Sequence, residues 1–186
     1  GFSISTATMN SSGTWTVGHG LGVAPAVVLV KGTGATSDWW MWHHSLGGPT
    51  DGQKYIKLNS TAVSPANDST VWNNTVPTSS VYSMGSNTWS ASTTFVGYCF
   101  AEKKGYSKFG KYRGNGSSDG IFVNLGFKPA LVIFKETSNA DNWILLDNKR
   151  DAAPNPHKLA LFPNLEDAEG GDYLVDFTSN GFKIRS

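Results

Sequence analysis

An all-β fold, antiparallel strands in a sandwich or jelly-roll-like arrangement, is what this sequence predicts, and three observations predict it. The first is composition. The 186 residues carry 21 Gly, seven Trp and a heavy load of Ser, Thr and Asn, the chemistry of turns and pleated surfaces rather than of helices. The second is that no long stretch repeats its apolar residues with the 3.6-residue period of an amphipathic helix. The third is duplication. Leu21-Gly22-Val23-Ala24-Pro25-Ala26-Val27-Val28-Leu29-Val30-Lys31 returns as Leu125-Gly126-Phe127-Lys128-Pro129-Ala130-Leu131-Val132-Ile133-Phe134-Lys135, with six of eleven positions identical at an offset of 104. Self-similarity at a fixed offset is the signature of a repeated structural unit.

Taken in order, residues 2–9 read as a strand ended by the turn cluster Asn10-Ser11-Ser12-Gly13, and Thr14 to Val17 as a second short strand. Gly18-His19-Gly20-Leu21-Gly22 is a loop. No helix follows it to bind an anion, so its glycines serve tight turns rather than phosphate. Val27 to Val30 is continuously apolar and β-branched, the pattern of a strand buried on both faces. Trp39 to Trp42 is a core strand whose second copy is Trp143 to Leu146.

Tyr55 to Leu58 alternates as a strand and pairs in the alignment with Lys158 to Phe162. Residues 59–80 are a long polar loop, a length that inside a compact domain marks a functional or a loosely ordered segment. Thr78 to Met84 aligns with Thr178 to Ile184, and Thr93 to Glu102 is the clearest isolated strand. Phe2 aligns with Phe109. The expected organisation is therefore a first repeat unit over residues 1–92, a connecting strand and turn over 93–107, and a second unit over 108–186. The two similar lobes lie side by side and share the connecting strand. The predicted core is Val27 to Val30, Trp39, Tyr98, Phe100, Leu131 to Phe134, Trp143, Leu145 and Phe182.

Charge excludes some function classes. With 16% charged residues and a net charge of +1, there is no basic field for nucleic acid and none for an anionic membrane. Lys103, Lys104, Lys108, Lys111 and Arg113 alternate with Tyr106, Phe109 and Tyr112, a pattern that a solvated strand face explains. No secretory leader or membrane-spanning apolar run is read in the chain, whose first residue, Gly1, looks like a cut within something longer. Cys99 is the only cysteine and lies in an apolar run, as a buried small hydrophobe does.

Catalytic chemistry finds little support. His19, His43, His44 and His157 lack metal-ligand spacing, and the expectation is that no metal or other cofactor is bound. Glycoside hydrolysis needs two facing carboxylates, one kept protonated. Asp147 and Asp151 are near enough in sequence to be considered, but turn acids fit them better, and no catalytic residue is assigned. The feature that suggests a ligand is an asymmetry: Trp15, Trp72 and Trp89 have no tryptophan in the second copy. Aromatic rings beside Asn-rich loops suit sugars, the ring taking the C–H face of a pyranose and short amides its hydroxyls. The candidate ligand-binding residues are Trp72 and Trp89 as platforms, Asn73, Asn74 and Asn87 as hydroxyl partners, and Trp42 and His43 from a strand end.

The motifs Val17-Gly18-His19-Gly20-Leu21-Gly22-Val23-Ala24-Pro25, Asp38-Trp39, Tyr98-Cys99-Phe100-Ala101-Glu102, Gly105-Tyr106-Ser107-Lys108-Phe109-Gly110 and Ser179-Asn180-Gly181-Phe182-Lys183 together resemble a repeated β module of bacteriophage tail-fibre and tail-spike proteins, marine phages especially. The resemblance implies a virion-exterior module that meets host-surface glycans and other fibre subunits or copies of itself. It supplies no catalytic residues. The alternatives are a carbohydrate-binding module attached to a polysaccharide-degrading enzyme, and a purely structural fibre module.

Overall fold

The computed structural model describes residues 1–9, 13–34, 36–47, 51–63, 66–86, 92–151 and 155–185, and these form β-strands with no helix among them. The first half contributes β1 (Phe2–Thr8), β2 (Trp15–Gly18), β3 (Val27–Gly32), β4 (Trp39–His43), β5 (Lys54–Lys57), β6 (Ala66–Asn67), β7 (Val81–Met84) and β8 (Thr94–Phe100). The second contributes β9 (Phe122–Asn124), β10 (Leu131–Lys135), β11 (Trp143–Asp147), β12 (Val175–Thr178) and β13 (Gly181–Ile184). Strands β1-β8-β3-β4-β5-β6 form a six-stranded sheet opposed by the pair β2-β7, and the second half holds the pair β10-β11 and the sheet β12-β13-β9. Every pairing among these strands is antiparallel. The fold is all-β, with the packed antiparallel sheets of a β-sandwich.

Side chains alternate across a strand, and the six-stranded sheet uses that alternation throughout. One face carries Val28, Val30, Trp40, Trp42, Phe95 and Cys99, which pack with Val17, Tyr82 and Met84 of the β2-β7 pair and with Val71 and Trp72 beneath it. Gly97 sits in this face because a Cβ there would lie 2.2 Å from the Tyr82 hydroxyl. Tyr82 is wholly buried and hydrogen-bonds Ser5 Oγ at 3.1 Å. The opposite face aligns Phe2, Phe100, Val27 and His43 in one rung and Ile4, Tyr98, Leu29 and Met41 in the next.

The alternation corrects the expected core. Val28 and Val30 are fully buried while Leu29 is half-buried, so β3 is not enclosed equally on both faces. Trp39, Tyr98 and Phe100 are half-buried on the outer face, where Trp39 stacks on Tyr98 with ring centroids 6.1 Å apart. In the second half Leu131 and Ile133 are 51% and 47% exposed, and Leu146, not Leu145, is the fully buried residue of β11. Consecutive apolar residues in a strand cannot all face one core, and in each copy it is the even-numbered positions of the run that do.

The hairpins themselves coincide. Val27 pairs with His43 and Lys31 with Trp39, while Leu131 pairs with Asp147 and Lys135 with Trp143, the same register at an offset of 104. The surroundings differ. β8 lies between β1 and β3 and pairs with no strand of the second half, so the connecting strand belongs to the first sheet and is not shared. The halves meet instead through single hydrogen bonds: Trp143 Nε1 donates to the Lys57 carbonyl at 3.0 Å, and the Asp141 backbone N–H donates to the Thr61 carbonyl at 3.1 Å. A second cluster, Leu146, Ala160, Val175, Phe177 and Phe182, forms the core of the second half.

Candidate functional site

At the end of the six-stranded sheet where β3 begins and β4 and β8 finish, the chain leaves an open cleft of about 550 Å³. One wall is the loop Val23-Ala24-Pro25-Ala26, another is Val76-Pro77 from the long polar loop, and Trp42, His44, Ala101 and Glu102 complete the lining. The two walls are pinned together by a buried imidazole. His19 Nε2 meets the Thr78 carbonyl at 3.1 Å and the Leu21 N–H donates to His19 Nδ1 at 3.2 Å, while the His19 N–H donates to the Ser80 carbonyl at 3.1 Å. Gly20 and Gly22, with φ of 69° and 72°, take the left-handed conformation that turns the chain from His19 into the wall.

Trp42 is 4% exposed, and its indole N–H donates to the Asp51 carbonyl at 3.4 Å. It therefore contributes an edge of apolar surface from the floor rather than a free ring face. The polar groups are His44 and Glu102, which hold the two backbone groups of one residue, Phe109. His44 Nε2 donates to the Phe109 carbonyl at 3.1 Å, and Glu102 Oε1 accepts the Phe109 N–H at 3.0 Å. The other imidazole nitrogen and the other carboxylate oxygen have no protein hydrogen bond among the described residues, which leaves an acceptor pair beside an apolar floor.

The residues expected to bind a ligand divide accordingly. Trp72 is 1% exposed and among the largest fully buried side chains, so it is core rather than a stacking platform. The reason is the turn of residues 69–74, which tucks Val71 and Trp72 under the sheet while the polar residues around them face water. Asn73 and Asn74 are exposed at that turn with positive φ of 51° and 47°, and Asn74 Oδ1 accepts a hydrogen bond from Gln53. Neither residue lines the cleft.

Trp89 and Asn87 lie outside the described residues. Trp42 lines the cleft, but His43 alternates to the outer face, where its ring meets Phe109 at 6.5 Å and its Nδ1 accepts the Ser45 N–H at 3.1 Å. Burial and the neighbouring His44 push its pKa down to about 4. Sequence reasoning missed His44 and Glu102. The available signal was their place just past the ends of the two strands that flank β3, His44 one residue beyond β4 and Glu102 two beyond β8.

The acids weighed for catalysis have structural employment. Asp147 accepts the N–H groups of Lys149 and Arg150 at 2.8 and 3.0 Å and pairs with Arg150, whose Nη1 also reaches Glu169 at 2.6 Å. The Lys149 backbone bond, with Arg150, holds the Asp147 carboxyl below the usual carboxylate range. Asp151 accepts the N–H of Lys158 at 2.9 Å and lies 3.6 Å from His157 Nδ1. Burial pushes the Cys99 thiol up to about 12, so no thiolate forms near neutrality. No group of three or more His, Cys, Asp or Glu side chains that could hold a metal ion gathers among the described residues, and no helix long and apolar enough to cross a membrane is found among them.

The whole chain, residues 1–186, matches the family described as a domain of unknown function (DUF7483), and the protein belongs to that family. No curated protein and no solved structure matches it.

Proposed function

We propose that this is a non-catalytic module that binds a saccharide unit of a polysaccharide or cell-surface glycan in the cleft beside Trp42. One observation carries the reading: His44 and Glu102 are both fixed by the backbone of Phe109 and flank an apolar floor. A pyranose has that complementary character, an apolar C–H face with hydroxyl donors around its edge. Preset polar groups also spare the ligand the cost of ordering them. The openness of the cleft suits a residue within a chain rather than a small molecule sealed from water. A setting on a virion exterior rests on the resemblance of the sequence motifs alone.

The test is titration calorimetry against a panel of bacterial and marine polysaccharides, with Ala24→Trp and Glu102→Gln beside the native protein. Ala24 is exposed and lines the cleft, so a tryptophan there fills the site without entering the core. Both variants should keep the native melting temperature and lose affinity, by roughly tenfold or more for Ala24→Trp. Undiminished binding by a folded Ala24→Trp variant excludes the cleft. Release of reducing ends that survives repurification would replace binding with hydrolysis.

A further inference from the structure

The two hairpins that share a register do not share neighbours. β3 is covered along its second edge by β8, and the coverage is tied at both ends: the Ala26 N–H donates to the Phe100 carbonyl at 2.7 Å and the Thr33 N–H to the Thr94 carbonyl at 2.8 Å. At the offset of 104 these donors become Ala130 and Thr137, and neither makes such a bond among the described residues. Among the described residues β10 pairs with β11 alone. The outer-face side chains follow suit. Val27 is buried beside Phe100, whereas its counterpart Leu131 is half exposed, as is Ile133. An open strand edge flanked by exposed aliphatics is a template for another strand.

What normally fills such a position is visible in the first half. β8 presents Phe95, Gly97 and Cys99 to the core and Val96, Tyr98 and Phe100 to the outer face, and β1 then pairs with its far side. In the second half the counterpart of β1, Lys108 to Arg113, is not a strand. Its Tyr112 instead leans edge-on over Phe134 and Phe182 at 6.1 and 6.2 Å. Phe182 occupies the place of Tyr82, since Val17 pairs with Tyr82 as Val123 pairs with Phe182. A strand in the position of β8 would therefore meet a core already shaped like the one β8 packs on, and would give residues 108–113 an edge to join.

We infer that the free edge of β10 is a strand-acceptor site. Its occupant is an extended segment of another polypeptide with the β8 pattern, aromatic or β-branched on one side and small at the position of Gly97. It docks antiparallel to β10. Backbone hydrogen bonds supply the affinity in such β-augmentation, and alternate side chains supply the selectivity.

A synthetic peptide of residues Thr93–Lys104, whose terminal lysines keep it soluble, is the probe. Amide hydrogen exchange of the intact protein is followed with the peptide, with a scrambled peptide and with none. The expected result is that exchange from Ala130 to Thr137 slows by roughly tenfold or more with the native order only. Two further peptides, N-methylated at alternate sets of residues, identify the mode. One set should abolish protection and the other retain it, because only one edge of the peptide faces β10. Absence of protection, equal protection by the scrambled peptide, protection confined to β1, or indifference to both methylation patterns would each overturn the inference.

Discussion

Asn59 and Asn164 perform the same task in the two halves of the molecule. Asn59 Oδ1 accepts the Trp39 N–H at 2.9 Å while its Nδ2 donates to Asp38 Oδ1 at 2.9 Å. Asn164 Oδ1 accepts the Trp143 N–H at 2.8 Å while its Nδ2 donates to Asn142 Oδ1 at 2.8 Å. Each amide closes the entry to the second strand of its hairpin by satisfying one backbone donor and one side-chain acceptor. The offset is 105 for the asparagines and 104 for their partners, so the clamp absorbs a one-residue length difference between the loops.

The two clamps should respond differently to the same substitution. Asn164→Asp keeps the acceptor for Trp143, and the Asn142 amide can rotate to donate to the new carboxylate. Asn59→Asp sets a carboxylate against Asp38, which cannot donate while ionised. Partial burial works against charge on Asp38, but hydrogen bonds from Lys57 and Asn59 hold it below its ordinary pKa, and Lys57 Nζ lies 2.6 Å away. Asn59→Asp is expected to cost about 1–2 kcal/mol at pH 7, and Asn164→Asp less than half of that. Urea titrations decide, and equal costs would show that the Asp38 charge is irrelevant to the clamp.

Gly97 and Tyr82 define a contact with no slack. Gly97→Ala should destabilise the protein by about 1–3 kcal/mol through overpacking, since the new Cβ would sit 2.2 Å from the Tyr82 oxygen and 3.0 Å from its Cζ. Tyr82→Phe removes the oxygen, so the double variant should be more stable than the two single costs added together predict. Strict additivity in a double-mutant cycle would mean the strain lies elsewhere.

The fold class and the duplication of two successive strands were legible in the sequence because they rest on local information: turn residues, strand propensity and an eleven-residue stretch that returns with six identities. The partition of faces was less so. Leu29, Leu131 and Ile133 look as apolar as Val28 and Val30, and only the sheet's neighbours decide which set is enclosed. Trp72 misled for a related reason. Its sequence neighbours are polar, but burial is set by the tight turn that carries it under the sheet. The cleft was hardest to foresee, because His44 and Glu102 are far apart in the chain and become partners only through Phe109.

His43 makes stability depend on pH in a definite sense. Its pKa falls from 6.5 to about 4 in the folded state, through burial first and the charge of His44 second, with Glu102 opposing. Above pH 6.5 the ring is neutral whether folded or not and contributes no slope. Between pH 6.5 and 4 the unfolded chain takes up a proton that the folded chain resists, so stability falls as pH falls. The loss is on the order of 2–3 kcal/mol across that window. His43→Gln should flatten the profile there. Denaturation midpoints at pH 7.5 and 5 measure it, and an unchanged slope in the variant would sink the assignment.

Trp72 and Trp143 are both buried, yet their indole N–H groups differ, and the difference is measurable. Trp143 is 4% exposed and donates across the halves to the Lys57 carbonyl, while Lys57 itself reaches back to Asp38 and over the Trp40 ring at 4.5 Å. Trp72 Nε1 is buried without a hydrogen-bond partner among the described residues. Replacing either by Ala should cost about 3–5 kcal/mol, because a large ring leaves a cavity. Replacement by Phe separates packing from polarity. Trp143→Phe loses volume and also strands the Lys57 carbonyl, adding about 1–2 kcal/mol for an unmade buried bond. Trp72→Phe loses volume but relieves a donor that had nothing to donate to, so it should be the milder of the two. If Trp72 belonged to an exposed sugar platform instead, Trp72→Ala would leave stability intact and weaken glycan binding. Guanidinium unfolding of all four variants, with glycan affinity measured on the folded fraction, distinguishes these outcomes. A Trp72→Ala protein as stable as the native one would remove this ring from the core and return it to the binding surface.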